Sequence, residues 1–204
     1  MVINSIKETS YDGMVKIAAE EGASFYIRKQ YLPTVSWDDI EIGNEFTGSN
    51  EDEILDAGFA SVVELKAITY LARAEQSRFG LTRKLVQKGY EKKHIDMALT
   101  YLESKNYLND ARFAIAWLHG RRINHYEGRS KLKAELQTRG IGRDVAEKAI
   151  EEFFEEFDEN EICQKAFNRL IKKGKSDDKL IAAMMNSGFT YKQIKEAKEN
   201  YSEN

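Results

Sequence analysis

Basic and aromatic side chains alternate in one short stretch near the middle of the chain, residues 120–130, with the sequence GRRINHYEGRS. It contains three arginines, a histidine and a tyrosine, and further lysines and arginines follow as far as position 143. Cations hold phosphates while aromatic rings stack on bases, so this pattern is typical of a surface that contacts nucleic acid. A solvated loop and helix face is the alternative interpretation, because lysine and arginine are normally exposed.

A second group of cations lies on a helix that we predict over about residues 77–88. Both groups would suit a polyanionic partner, either nucleic acid or an acidic protein surface. The candidate contact residues are Arg78, Arg83, Lys84, Lys88, Arg121, Arg122, Tyr126, Arg129, Lys131, Lys133 and Arg139.

The net charge of −3 conceals a strongly uneven charge distribution. Residues 1–63 carry −8, residues 64–143 carry +9, residues 144–164 carry −8 and residues 165–204 carry +4. A basic block within a nearly neutral total indicates a localised surface for a polyanion. The acidic stretch EEFFEEFDENE at 151–161 is interpreted as a solvated helix face with apolar residues in the core, or alternatively as a phosphate mimic towards a basic partner.

Groups that could perform catalysis do not form a recognisable set in this sequence. His94, His119 and His125 lack the spacing to cysteine or carboxylates that metal sites require. The GxSxG, P-loop and GxGxxG motifs are absent. We therefore predict that the protein is not an enzyme and uses no metal or cofactor. The single cysteine, Cys163, cannot form an internal disulfide and is expected to be a buried thiol.

A glycine followed by an apolar residue occurs at three regularly spaced positions and organises the chain around these cations. We call these pairs hinges: Gly89-Tyr90, Gly140-Ile141 and Gly188-Phe189, which are 51 and 48 residues apart. Each hinge has leucine eight residues before its glycine, leucine or methionine four before, alanine nine after, and a large apolar or aromatic residue thirteen after. Shared positions at fixed offsets indicate an internal repeat of about 48 residues.

The residue types at each hinge indicate a helix end. Glycine just past a helix adopts the left-handed conformation, and the following apolar residue folds back onto the residue four before the glycine. Thr190 and Gln193 form a predicted capping box. The helices around the hinges are expected to begin at Ser77, Gly128 and Ser176 on one side and near Glu91, Gly142 and Thr190 on the other.

A further helix precedes each pair, because apolar residues such as Val63 and Ala67 match Ile162 and Ala166 at the same distance from the hinge. The predicted fold is therefore mainly α, with three tandem three-helix repeats. We place the repeats at 61–108, 109–157 and 158–204, after an N-terminal extension at 1–60.

The extension is predicted to contain a β-hairpin, with strands Met14–Ala19 and Ala23–Arg28 joined at Glu21-Gly22. Residues Asn44–Glu53 are interpreted as a turn or linker. A capping module for the repeat array and a specific binding role remain alternatives for this segment. Apolar residues expected to dock it on the helices are Trp37, Ile40, Ile42 and Phe46.

Composition agrees with a helix-rich globular protein: 42% of residues are hydrophobic, 32% are charged and one is proline. No apolar run approaches the roughly 18 residues that a membrane-spanning helix needs. The N-terminus lacks the pattern of a signal peptide. We expect a cytoplasmic monomer that does not contact membranes.

With the repeats in view, the sequence resembles the RecX regulatory protein family. The resemblance is carried by ITYLARAEQSRFGLTRKLVQKGY (68–90), ESKNYLNDARFAIAWLHGRR (103–122) and GRSKLKAELQTRGI (128–141), and it covers about residues 61–201. The third repeat departs most, because Met184-Met185-Asn186-Ser187 replaces the more charged segments before the first two hinges.

This resemblance implies an elongated, curved array of three-helix repeats that regulates the RecA recombinase. Its partner would be the RecA filament, together with single-stranded DNA phosphates within it. There it would modulate, and mostly inhibit, ATP hydrolysis and strand exchange in DNA repair, recombination and SOS control. Two alternatives remain: a stand-alone nucleic-acid-binding protein with helix-turn-helix-like repeats, and a helical scaffold for another protein. The acidic segments argue against the first alternative.

Overall fold

The computed structural model describes residues 1–20, 22 and 24–202. The chain forms two compact units, Met1–Leu108 and Asn109–Asn204, which we call the N-terminal and C-terminal units. Each unit has its own cluster of buried apolar side chains. Because each unit has a separate core, each contains the interactions that position its own surface groups.

The N-terminal unit begins with an antiparallel sheet of three strands in the order β1-β2-β3. These strands are β1 (Ile3–Glu8), β2 (Met14–Ala19) and β3 (Phe25–Arg28). The predicted hairpin is confirmed by the pairing of β2 with β3. The sequence analysis missed β1, an edge strand whose residues INSIKE are mostly polar. Glu21 and Ala23, assigned to the predicted turn and second strand, lie outside the described residues.

Three helices complete the N-terminal unit: α1 (Ser49–Leu71), α2 (Arg78–Gln87) and α3 (Lys92–Ser104). Helix α1 packs against α3 and against β3. The predicted linker over residues 44–53 is wrong from Ser49 onwards, because acidic residues favour the first turn of a helix and buried apolar residues follow them. Residue 60, the predicted end of the extension, lies inside α1.

The rest of the extension packs on this helical core. Ile40 and Phe46 are buried, and Trp37 packs against the same apolar cluster. Ile42 is 64% exposed, so its predicted docking is wrong. Ile42 lies in a turn with Gly43, just after the 3-10 turn at Trp37–Asp39.

The C-terminal unit consists of two further helix trios. Its elements are α4 (Asp110–Arg122), α5 (Arg129–Thr138), α6 (Arg143–Glu156), α7 (Glu159–Lys172), α8 (Asp177–Asn186) and α9 (Tyr191–Ser202). In each trio the first helix packs against the third, as α1 does against α3. The last residues of the predicted third repeat, Glu203 and Asn204, lie outside the described part of the chain.

All three hinges have the predicted geometry. Their glycines have positive φ angles of 87°, 81° and 91°. The next residue's N–H donates to the carbonyl five residues back: Tyr90 to Leu85 at 3.3 Å, Ile141 to Leu136 at 3.1 Å, and Phe189 to Met184 at 3.3 Å. This is the Schellman arrangement of a helix end.

The repeated apolar positions also lie where the periodicity predicts. Ala98, Ala149 and Ala197 are each at most 3% exposed, which allows close packing between helices. Tyr201 is an exception at 47% exposed, because it lies in the last described turn of α9, where its ring contacts only the edge of the core. Among the described residues, no helix is both long enough and apolar enough to cross a membrane.

Candidate nucleic-acid interface

The basic and aromatic stretch joins two helices of the C-terminal unit. Helix α4 continues through Arg122 and α5 begins at Arg129, so the loop itself comprises residues 123–128 and is shorter than predicted. Gly128 is the N-cap of α5, as expected. Arg121 and Arg122 therefore project from a helix, and helical packing fixes their positions more firmly than a loop would.

Carboxylates of the same unit pair with the arginines at both ends of this loop. Arg121 donates from Nε and Nη2 to the two Glu127 oxygens at 2.8 and 2.9 Å, a bidentate pair. The hydrogen bonds to Glu127 raise the pKa of Arg121. Arg129 Nε donates to Glu159 at 2.8 Å. The side chains of Arg121 and Arg129 stay 24% and 47% exposed, so an external anion can still reach them.

The predicted cations of α5 share two glutamates. Lys131 and Arg139 flank Glu135 at 3.0 and 2.7 Å, and their hydrogen bonds lower the pKa of that carboxyl. Lys133 pairs with Glu147, whose pKa is likewise lowered by hydrogen bonds from lysine and arginine. These exposed pairs each contribute little to stability because solvent screens them. Their effect is to compensate much of the basic block locally.

Aromatic rings cover the remaining guanidinium surfaces. Arg122 lies 3.8 Å from the Phe157 ring centroid, and Arg129 lies 4.5 Å from that of Phe154. Arg139 lies 4.5 Å from the Trp117 ring. Because Phe154 and Phe157 belong to the acidic stretch at 151–161, the predicted basic and acidic segments contact each other inside one unit. Phe154 and Phe157 pack against the core as predicted, and a phenylalanine ring can contact the core and a guanidinium at the same time.

The candidate cations of α2 belong to the N-terminal unit. Arg78 pairs with Asp96 at 3.4 Å and also with Glu103. Lys84 donates to the Gln76 side-chain oxygen at 2.6 Å, and Arg83 lies near the Phe79 ring. Lys88 is exposed and makes no ion pair among the described residues. The eleven candidates therefore lie in two separate units, and their role in binding stays a prediction.

Tyr126 lies in a small cleft of the C-terminal unit. Its ring is half-buried against the core, and the guanidinium of Arg169 is 5.9 Å from the ring centroid. A cavity of about 240 Å³ is lined here by His125, Tyr126, Glu127, Arg169, Lys173 and Ser187. Arg169 and Lys173 are not among the predicted contacts, because they lie in the third repeat, 40 or more residues away in sequence.

A buried charged network in the N-terminal unit was also missed. Arg28 donates from Nε and Nη2 to Glu64 at 2.9 and 2.7 Å, and the Tyr31 hydroxyl donates to Glu64 at 2.7 Å. Burial, and then the charge of Glu64, raise the pKa of Tyr31. Arg28 also lies 4.1 Å from the Tyr101 ring. The network joins the end of β3 to α1 and α3, so we assign it a structural role.

The fold and the cationic surface define a class of protein: a tandem three-helix-repeat protein with a basic surface that its own acids partly compensate. The described residues contain no group of histidine, cysteine and carboxylate side chains suited to a metal ion.

Comparison with known proteins identifies the family. Residues 65–102 match the family model described as RecX, first three-helix domain, and residues 109–150 match RecX, second three-helix domain. A regulatory protein RecX of Treponema pallidum (strain Nichols) is 33% identical over 127 residues, which are 62% of this chain and 77% of that protein. One of Syntrophotalea carbinolica is 37% identical over 108 residues, or 50% and 69%. The chain belongs to the RecX family of regulatory proteins.

Solved structures agree on the fold. A crystal structure of regulatory protein RecX superposes with a TM-score of 0.75 at 16% identity, covering 97% of this chain and 98% of that one. RecX from Lactobacillus salivarius gives a TM-score of 0.61 at 18% identity, covering 72% and 98%. The predicted family and the mainly α fold with three-helix repeats are thereby confirmed. The relatives are named as regulatory proteins, and no catalytic function is indicated for them.

Proposed function

We propose that this protein binds the RecA recombinase filament on single-stranded DNA and modulates, mostly inhibits, its ATP hydrolysis and strand exchange. It would act in the cytoplasm as a monomer, in DNA repair, recombination and SOS control. The observation that carries the proposal is the match of residues 65–102 and 109–150 to the two three-helix domains of the RecX regulators.

Charge and repetition support a mechanism of many weak contacts. We propose that the chain consists of the N-terminal extension followed by three similar helix trios. Each trio would contact a different, neighbouring recombinase subunit. Because the arginines near 121–139 are already paired, binding an acidic group of the filament exchanges one anion for another. Each exchange contributes about 1 kcal/mol or less, so affinity depends on several contacts acting together. Contacts across several subunits would couple their ATP states.

The test is ATP turnover by purified recombinase on single-stranded DNA. We expect substoichiometric amounts of the full chain to suppress turnover, with weaker suppression as salt rises. The triple variant Arg121→Ala, Arg122→Ala, Arg129→Ala should lose much of this effect while keeping its helical circular dichroism. A matched control removes three lysines of α9, Lys192, Lys195 and Lys198, and should retain suppression. Unchanged turnover at equimolar wild-type protein would refute the proposal.

Stand-alone binding to duplex DNA is the second candidate function. Lys88, which is exposed and makes no ion pair within the described part of the chain, lies next to the first hinge and favours it, because short helices around a turn resemble a helix-turn-helix. This function predicts tight duplex binding without recombinase and a steep salt dependence. The internal pairing of the basic and acidic segments argues against it, and undetectable duplex binding would eliminate it.

A further inference from the structure

Helix α7 and its C-cap present two cations to the cleft beside Tyr126: Arg169 lies within the helix and Lys173 is the C-cap residue. Ala166, Arg169, Leu170 and Lys173 follow helical spacing and line the cavity together. Arg169 is held in place by a hydrogen bond from Nη1 to the Asn124 carbonyl oxygen at 3.0 Å. The opposite wall is the α4–α5 loop, which contributes the exposed His125 ring.

The charge of this cleft is not compensated as it is elsewhere in the unit. On α5, α6 and α7, residues four apart form lysine– or arginine–glutamate pairs, as in Lys131–Glu135, Arg143–Glu147 and Glu161–Lys165. Arg169 and Lys173 have the same spacing, yet neither makes an ion pair among the described residues. Like charges at this spacing destabilise a helix. An anion between them would reverse that effect.

The single carboxylate in the cleft is already occupied. Glu127 lines the cavity, but both of its oxygens accept from Arg121 at 2.8 and 2.9 Å. Ser187 completes the lining, and its hydroxyl donates to the Ala183 carbonyl oxygen at 2.9 Å. The nitrogen-bearing side chains left to bind an incoming anion are therefore Arg169, Lys173 and His125.

The cleft is held open by hydrogen bonds to backbone carbonyl groups between the second and third repeats. The Gly128 N–H donates to the Ser187 carbonyl at 2.8 Å, and the Ser130 hydroxyl donates to the Gly188 carbonyl at 3.0 Å. These bonds fix the loop carrying His125 and Tyr126 relative to the third hinge. A site supported in this way is preorganised, so less free energy is lost in ordering it when a ligand binds.

We propose that this cleft binds a backbone phosphate of single-stranded nucleic acid through Arg169, Lys173 and His125. Its volume of about 240 Å³ is below the roughly 300–1,000 Å³ of sites for whole small molecules, and it therefore suits one phosphate group. Several phosphate oxygens can accept from all three groups together, whereas a protein carboxylate would be satisfied by the arginine fork alone. The inference rests on the proposed function in that the strand would be the one inside the recombinase filament.

Fluorescence anisotropy with a labelled oligothymidylate and the full chain, without recombinase, tests the proposal. The double variant Arg169→Ala, Lys173→Ala should reduce the slope of log affinity against log salt by about 0.7, since the cleft holds one phosphate and each phosphate neutralised on a single strand contributes about 0.7. If the two proteins bind equally at 1 M salt, this corresponds to about 5-fold weaker binding by the variant at 0.1 M salt. Arg169→Lys, which keeps the charge, should retain most of the slope.

The control variant removes two positive charges elsewhere in the C-terminal unit, Lys148→Ala with Lys165→Ala, and should leave the slope unchanged. Equal losses in both double variants, or no binding by the wild type, would overturn the proposal. So would competition by polyglutamate as effective as that by unlabelled oligonucleotide, which would assign the cleft to an acidic protein partner. The recombinase assay distinguishes failure of this site from failure of the proposed function. If the wild type suppresses ATP turnover but the cleft variant binds the oligonucleotide as well as the wild type does, only the cleft proposal is rejected.

Discussion

Substitution of Gly128 by alanine should destabilise the C-terminal unit by an amount that the structure specifies. A β-carbon at this position would lie 2.4 Å from the Gly188 carbonyl oxygen and 2.7 Å from its carbonyl carbon. It would also lie 3.0 Å from Cδ1 of Phe189. Both closest atoms belong to backbone, so no side-chain rotation relieves the overlap. The third hinge must move away from α5 by about 1 Å to restore ordinary van der Waals distances.

This movement has a calculable cost. It breaks the hydrogen bonds from Gly128 to Ser187 and from Ser130 to Gly188, each contributing about 1 kcal/mol. It also loosens the packing of Phe189, which is 4% exposed, at a further cost of about 1–2 kcal/mol. The lower entropy of the unfolded alanine variant offsets about 0.4–1 kcal/mol. The expected net loss is about 2–3.6 kcal/mol.

Denaturant unfolding monitored by tryptophan fluorescence measures this loss. Trp117 reports on the C-terminal unit, and a Trp37→Phe background removes the signal of the N-terminal unit. The matched control is Gly120→Ala on α4, where an added β-carbon has nothing within 4 Å, so a gain of up to about 1 kcal/mol is expected. Equal unfolding midpoints for the two variants would refute the assigned contact between α5 and the third hinge.

Three further predictions concern buried or paired groups. Glu64→Gln leaves the buried Arg28 charge unpaired and should cost about 3–5 kcal/mol in a urea titration; a loss below 1 kcal/mol would contradict the network. Hydrogen bonds, first from His94, lower the pKa of Asp56, so its contribution to stability is present above about pH 4 and is lost on further acidification. Asp56→Asn should therefore weaken the dependence of the unfolding midpoint on pH in this acid range, and an unchanged dependence would contradict the assignment. Burial raises the pKa of the Cys163 thiol to about 12, so a thiol reagent at pH 8 should label the native chain at least about 100-fold more slowly than the unfolded chain; similar rates would show an accessible thiol.

Features that depend on neighbouring residues could be predicted from the sequence. Each hinge is specified within about six positions, by a glycine, the apolar residue after it and the apolar residue four before it. The capping box of Thr190 and Gln193 is equally local and is confirmed by bonds of 2.8 and 3.3 Å. The buried alanines could also be predicted, because the repeat places each one nine residues after a hinge glycine.

Features that depend on distant residues could not be predicted. The Arg28–Glu64 pair joins a strand to a helix 36 positions later, and no local pattern marks glutamate as buried. Ser49–Glu53 looked like a linker by composition, but acidic residues in a first turn and tertiary packing make it helical. Arg169 became a site candidate only when the fold placed it beside Tyr126. The carboxylates that pair with the candidate cations, such as Glu127 and Glu159, lie on other turns or helices, so no local sequence pattern marks them as partners.

Electron cryomicroscopy of a RecA filament on single-stranded DNA, mixed with this protein, tests the central claim most directly. Our account predicts density for the chain along the filament, with its helix trios contacting neighbouring recombinase subunits. Filaments that carry no added density at saturating protein, or density on bare DNA alone, would contradict it.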